Sequence, residues 1–195
     1  MPITRSSALW RTIWRTTRWL ATGFAAMVLS GCNTVMIGDS IFDMSRTELG
    51  GAVDASDGRG AHNAGLNGQP LSGDEAVDVL APTVFPSGWL VVGLGTNDAR
   101  TDLDAQPFES FVKSTVARLP DDRCLAWVIP YNPGFPEQSA AIDVVIREQI
   151  RPKPCHTFVE WGAAVRARPD LVSDGIHPNS AGRAVLADMI KAATR

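Results

Sequence analysis

The 195 residues suffice for one domain with a full hydrophobic core and are too few for two of ordinary size. With 45% hydrophobic and 20% charged residues, the composition is that of a folded globular chain and excludes wholesale disorder. The net charge of −3 hides an asymmetry: residues 1–31 carry Arg5, Arg11, Arg15 and Arg18 and no acid, which leaves 14 basic against 21 acidic residues, net −7, and argues against a nucleic-acid partner.

Residues 1–31 have the layout of an export signal, with a basic start, an apolar stretch over 20–29 and the small residues Ser30 and Gly31 before Cys32. That stretch is too short to span a bilayer comfortably. Trp10, Trp14 and Trp19 among the arginines have the character of membrane-interface residues. Leu29-Ser30-Gly31-Cys32 resembles the lipobox of bacterial lipoproteins, which implies cleavage before Cys32 and a lipid on its sulfur. The alternative is an ordinary signal peptide or an uncleaved anchor, with Cys32 a bystander. Either way the protein is expected to be exported, held on the outer side of the cell membrane by its N-terminal lipid or else secreted. Residues 32–195 are expected to form a single, monomeric domain.

The mature part opens on Thr34-Val35-Met36-Ile37-Gly38, which reads as a buried parallel strand, and Asp39-Ser40 turns it into a helix reaching about residue 49. A glycine- and asparagine-rich region covers 50–73, with a short strand near 52–55. Ser72 and Glu75 form a capping box for a helix over 73–80. Residues 89–94 are the clearest buried strand. Pro107 begins a helix to 118 whose Phe108, Phe111, Val112 and Thr115 share one face. Strands at 124–129 and 155–159 flank a helix over 136–150, and Asn179 or Ser180 caps a last amphipathic helix. Alternating strands and helices predict an α/β sandwich around a mostly parallel sheet, with ligands at the carboxyl ends of the strands.

Cys124 and Cys155 each begin a predicted strand. Equivalent ends of adjacent strands bring Cα atoms within disulfide range, and an exported protein meets an oxidising compartment, so a bridge is favoured over two buried thiols. The cysteines lack metal-ligand spacing and His62, His156 and His177 are scattered, so neither metal nor cofactor is expected.

Serine hydrolysis needs a nucleophile, a base, an acid to orient the base, and donors for the oxyanion. Ser40 offers the first and His177 the second, and Asp174, three residues earlier, can turn back to the imidazole within one loop. Four short blocks in order then resemble the SGNH (GDSL-type) hydrolases: Gly38-Asp39-Ser40, Asn63-Ala64-Gly65-Leu66-Asn67-Gly68, Gly95-Thr96-Asn97-Asp98 and Asp174-Gly175-Ile176-His177. The resemblance implies a flavodoxin-like α/β/α sandwich of five strands and metal-free ester hydrolysis. It makes Ser40, Asp174 and His177 the catalytic residues, and the N–H groups of Ser40 and Gly68 with the Asn97 amide the oxyanion hole. Gly65 competes with Gly68 for that role, and Gly68 is favoured. Asp39 and Asp98 are expected to brace loops. Ile41-Phe42-Asp43 replaces the smaller continuation of many relatives and predicts a bulkier entrance beside the serine. Trp127 and Tyr131 offer an acyl-pocket lining, with core packing favoured for Trp127.

The first expectation is an esterase acting on short acyl esters, small or carried on envelope or extracellular carbohydrate, because the domain leaves little room for a lid or a long-chain tunnel. Acyl transfer onto a surface glycan is the second. A catalytically silent module that binds acylated glycan is the third, and the complete residue set argues against it.

Overall fold

The computed structural model describes residues 34–65, 71–100 and 106–195. Within them, the apolar runs form β1 (Thr34–Gly38), β2 (Ala52–Ala55), β3 (Trp89–Gly93), β4 (Cys124–Val128) and β5 (His156–Val159). The described strands build one five-stranded sheet in the order β2-β1-β3-β4-β5, and every adjacent pair is parallel.

Helices cover both faces, which is why the inner strands β1, β3 and β4 read as apolar runs rather than as alternating ones, while the edge strands β2 and β5 carry Asp54, His156 and Thr157. On one side, Ile37, Leu90, Val92, Leu125 and Trp127 meet α3 (Gly73–Leu80), α4 (Gln106–Arg118) and α5 (Pro136–Ile150). On the other, Met36, Val91, Ala126 and Val128 meet α1 (Ser40–Met44), α2 (Arg46–Leu49), α6 (Trp161–Ala167) and α7 (Ser180–Ala193). The arrangement is the flavodoxin-like α/β/α sandwich with its sheet fully parallel.

The local signals act as the sequence predicts at two helix starts. Ser72 accepts from the Glu75 N–H while Glu75 reaches back to the Ser72 N–H, and Asn179 caps α7 by accepting from Gly182. The expected single helix from Ser40 to residue 49 is instead two short ones. Ser45 leaves helical geometry at φ −101°, ψ 6°, and its hydroxyl donates to the Ile41 carbonyl at 2.7 Å. Trp127 belongs to the core: it is fully buried against Phe108 and Phe111, and its indole N–H donates to the Leu94 carbonyl at 3.1 Å. Ile41 and Phe42 also turn inward and are buried, so neither crowds the entrance beside Ser40.

The strand order decides where a site can form. From β1 the chain passes to β2 on one side, then to β3 on the other, and the reversal opens a crevice above the carboxyl ends of β1 and β3. Gly38 and Gly93 are register partners at that end. A Cβ on either would stand 2.4 Å from the ring of Phe42, so the glycine pair forms the floor on which α1 rests. At the opposite end, Cys124 and Cys155 are joined by a disulfide with their Cα atoms 4.7 Å apart.

Candidate active site

Two turns and one loop converge on the crevice. At the end of β1, Asp39 keeps extended backbone (φ −96°, ψ −155°) and its Oδ1 accepts from the Ile41 N–H at 2.9 Å, so the helix begins at Ser40. An extended cap followed at once by a helix leaves the first helical N–H groups without backbone partners. Ser40 itself is 8% exposed.

The second component is the loop between Leu171 and α7. Gly175 takes φ +88°, a conformation other residues resist, and this reverses the chain so that Asp174 faces His177. Asp174 Oδ1 accepts from the N–H groups of Ile176 (3.0 Å) and His177 (2.8 Å), and Oδ2 contacts His177 Nδ1 at 2.6 Å. The Ser173 N–H bonds to the His177 carbonyl, and Asn179 donates to the carbonyls of Leu171 and Asp170, which ties the loop to the base of α7. His177 Nε2 then lies 2.9 Å from Ser40 Oγ, a contact across 137 residues of sequence. Serine, imidazole and carboxylate thus form one hydrogen-bonded chain.

The imidazole bond first, then the His177 and Ile176 N–H groups, hold the Asp174 carboxyl down at about 2, so it is a carboxylate at any physiological pH. Asp39 is the opposite case. Complete burial pushes it up to about 7, helped by the charge of Asp98 and opposed by the Ile41 N–H, by His177 and by Thr96. Asp98 is also raised by burial, and its Oδ1 accepts from the Ala61 N–H at 2.9 Å. Both acids hold backbone, as the sequence predicts for them.

Asn97 follows β3 through Gly95, whose φ of +127° and whose approach to Pro130 leave no room for a side chain. The Asn97 Nδ2 donates to the Arg59 carbonyl at 3.0 Å. A primary amide nitrogen carries two hydrogens, so one remains to point elsewhere. The preceding residue, Thr96, gives its carbonyl to Asn132 Nδ2 at 3.3 Å. Asn132 is buried and also accepts from the Gly134 N–H, which joins the β3 and β4 end loops. Neither Arg59 nor Asn132 lies in a recognisable motif. The available signal was an asparagine between two prolines at a strand end, which marks a structured turn.

Gly65 packs as a glycine must, because a Cβ there would fall 1.8 Å from Ser56 Oγ. That approach accounts for the glycine at this position. Gly68 and Cys32 lie outside the described residues. Tyr131 is half-buried at the end of β4, with the Arg166 guanidinium 5.3 Å over its ring.

No family model matches the sequence, and no curated protein matches it. Solved structures do resemble it. The C-terminal catalytic domain of peptidoglycan O-acetyltransferase A from Streptococcus pneumoniae is 21% identical, covers 82% of this chain and 90% of its own, and superposes with a TM-score of 0.61. Est24, a carbohydrate acetylesterase from Sinorhizobium meliloti, is 16% identical over 82% of this chain and 98% of that one, with a TM-score of 0.56. A member of the lipolytic G-D-S-L family from Veillonella parvula is 12% identical over 82% and 96%, with a TM-score of 0.61. The chain has the SGNH (GDSL-type) hydrolase fold.

Proposed function

We propose that the protein is a serine esterase that removes short acyl groups through an acyl-enzyme on Ser40. The observation that carries this is the unbroken chain from Ser40 Oγ to His177 Nε2 (2.9 Å) and from His177 Nδ1 to Asp174 (2.6 Å) in the crevice of the fold. His177 takes the Ser40 proton as the oxygen attacks the ester carbonyl, and Asp174 holds the imidazole in the tautomer that can accept it. The oxyanion is received by the N–H groups of Ser40 and Gly68 and by the second Nδ2 hydrogen of Asn97. Each such donor contributes about 10²- to 10³-fold in rate. His177 then protonates the leaving alcohol, and water releases the acid.

The Asp174 and His177 side chains remain 55% and 30% exposed, and this openness suits an ester carried on a bulky alcohol. Together with the carbohydrate acetylesterase among the structural neighbours, it favours acylated carbohydrate as the substrate. The acetyltransferase neighbour favours a second reading, in which a sugar hydroxyl replaces water as the acceptor. Residues 1–31 act as an export signal in either case, with Cys32 as the lipid-bearing residue of the mature, monomeric protein.

Fluorophosphonate labelling tests the central reading: the wild type labels and Ser40→Ala does not, and an ester panel shows acetyl and butyryl esters cleaved faster than long-chain ones. An unlabelled, inactive but folded wild type that binds glycan would replace the enzyme with a binding module. Added sugar alcohols that outcompete water as acceptor would decide for transfer. Mass spectrometry of the membrane-derived protein tests the tether, and an N-terminus other than diacylglyceryl-Cys32 rules it out.

A further inference from the structure

Arg59 is the largest buried charged side chain among the described residues, 1% exposed, and the mechanism above makes no use of its guanidinium. Its Nη1 donates to the Asp54 carbonyl at 3.0 Å and its Nη2 to Asp54 Oδ1 at 3.1 Å, while its Nε has no partner among the described residues. Asp54 is on β2, in register with Ile37 of β1, three residues before Ser40. The loop that carries Arg59 is bonded at each end: the Ser56 N–H to the Gly38 carbonyl, and the Ala61 N–H to Asp98 Oδ1. Between those ties, the Arg59 carbonyl accepts from Asn97 Nδ2 at 3.0 Å.

We propose that Arg59 is a positioning residue for Asn97: its buried guanidinium, clamped on Asp54, sets the carbonyl that orients the Asn97 amide toward the reacting oxygen. The inference rests on the reading of Asn97 as an oxyanion donor. Both hydrogens of the amide lie in one plane about 120° apart, so a fixed acceptor for one directs the other. A buried guanidinium facing a single carboxylate is expensive as a stabilising device, and an apolar side chain of similar length would fill the space at lower cost. What the charge adds is direction, through two donors that grip the carbonyl and the carboxylate of one residue. The carbonyl of Arg59 is then held from the sheet through Asp54, in addition to the ties at Ser56 and Ala61.

The test is a double-mutant cycle on hydrolysis of 4-nitrophenyl acetate by the mature protein. Arg59→Met is expected to lower kcat about tenfold with KM within about twofold, because misplacing an oriented group by a fraction of an ångström acts on the transition state. Asn97→Ala is expected to lower kcat about 10²-fold or more. In the Asn97→Ala background, Arg59→Met should then change kcat by less than about twofold, because the group it positions is gone. Arg59→Lys, whose ammonium cannot grip both Asp54 oxygens in the same way, should fall between wild type and Arg59→Met.

The same tenfold loss in both backgrounds, a change confined to KM, or wild-type kcat in folded Arg59→Met would overturn the proposal. If Arg59→Met does not fold, Asp54→Asn carries the test, since it keeps the backbone acceptor and removes the charge; its loss of kcat must likewise vanish in the Asn97→Ala background. Wild-type kcat in Asn97→Ala is a separate result, which removes the oxyanion reading itself and this inference with it.

Discussion

Asp39 makes the stability of this protein depend on pH in a direction opposite to that of most carboxylates. Its folded value is pushed from the ordinary 3.8 up to about 7 by complete burial. The folded state therefore binds a proton that the unfolded chain has released, and stability falls as pH rises through that window. The contribution is complete below about pH 4 and is lost as pH passes 7. At about 1.4 kcal/mol per pH unit per proton, the full step is about 4 kcal/mol. Relaxation around the charged form lowers this, and about 2 kcal/mol is expected between pH 5 and 8. The perturbation is Asp39→Asn, which keeps an oxygen to accept from Ile41 but cannot ionise. Urea unfolding at pH 5, 6.5 and 8 should show a steep decline for the wild type and a shallower one for the variant. A residual slope from Asp98, also raised by burial, remains in both. Because Asp98 and His177 feel the Asp39 charge, the comparison reads the buried carboxyl together with its coupling to them. Parallel stability curves would refute the assignment of the proton to Asp39.

Gly93→Ala should destabilise the fold by about 1–3 kcal/mol, since the new methyl meets the fully buried Phe42 ring at 2.4 Å; a thermal melt measures this. The same variant should lower kcat, because Phe42 lies two residues beyond Ser40 and must shift with α1. Removing the Cys124–Cys155 bridge, which spans 31 residues, should cost about 3–4 kcal/mol in loop-closure entropy, read from urea unfolding with and without reductant. Activity below the unfolding transition should be unchanged, since the bridge lies at the far end of the sheet from Ser40. Asp174→Asn should lower kcat roughly 10³- to 10⁴-fold by releasing the imidazole tautomer, with the fold intact by circular dichroism. The wild-type carboxyl, held at about 2, should add stability above its unfolded value and lose it only as pH falls toward 2, so any activity lost between pH 4 and 7 titrates another group.

What the sequence determines by itself is local. A buried strand needs an unbroken apolar run, a helix start needs an acceptor side chain, and the Asp174–His177 contact spans three residues, so all of these are legible in short windows. Ser40, Asn97 and His177 could be named because each stands in a short motif at a strand or loop end. The tertiary structure decides what lies beyond such windows. The strand order β2-β1-β3-β4-β5 brings Ser40 to His177 across 137 residues and Arg59 to Asn97 across 38. It also sends Phe42 into the core, away from the entrance that its place after Ser40 suggests, whereas the core packing of Trp127 is already the favoured reading of the sequence. Arg59 and Asn132 were invisible for the same reason: Arg59 accepts from Asn97 through its own backbone carbonyl and Asn132 donates to that of Thr96, and a carbonyl has no residue type to be read. Chemistry carried by side chains at fixed spacing survives in one dimension, whereas orientation by distant backbone exists only once the sheet has closed.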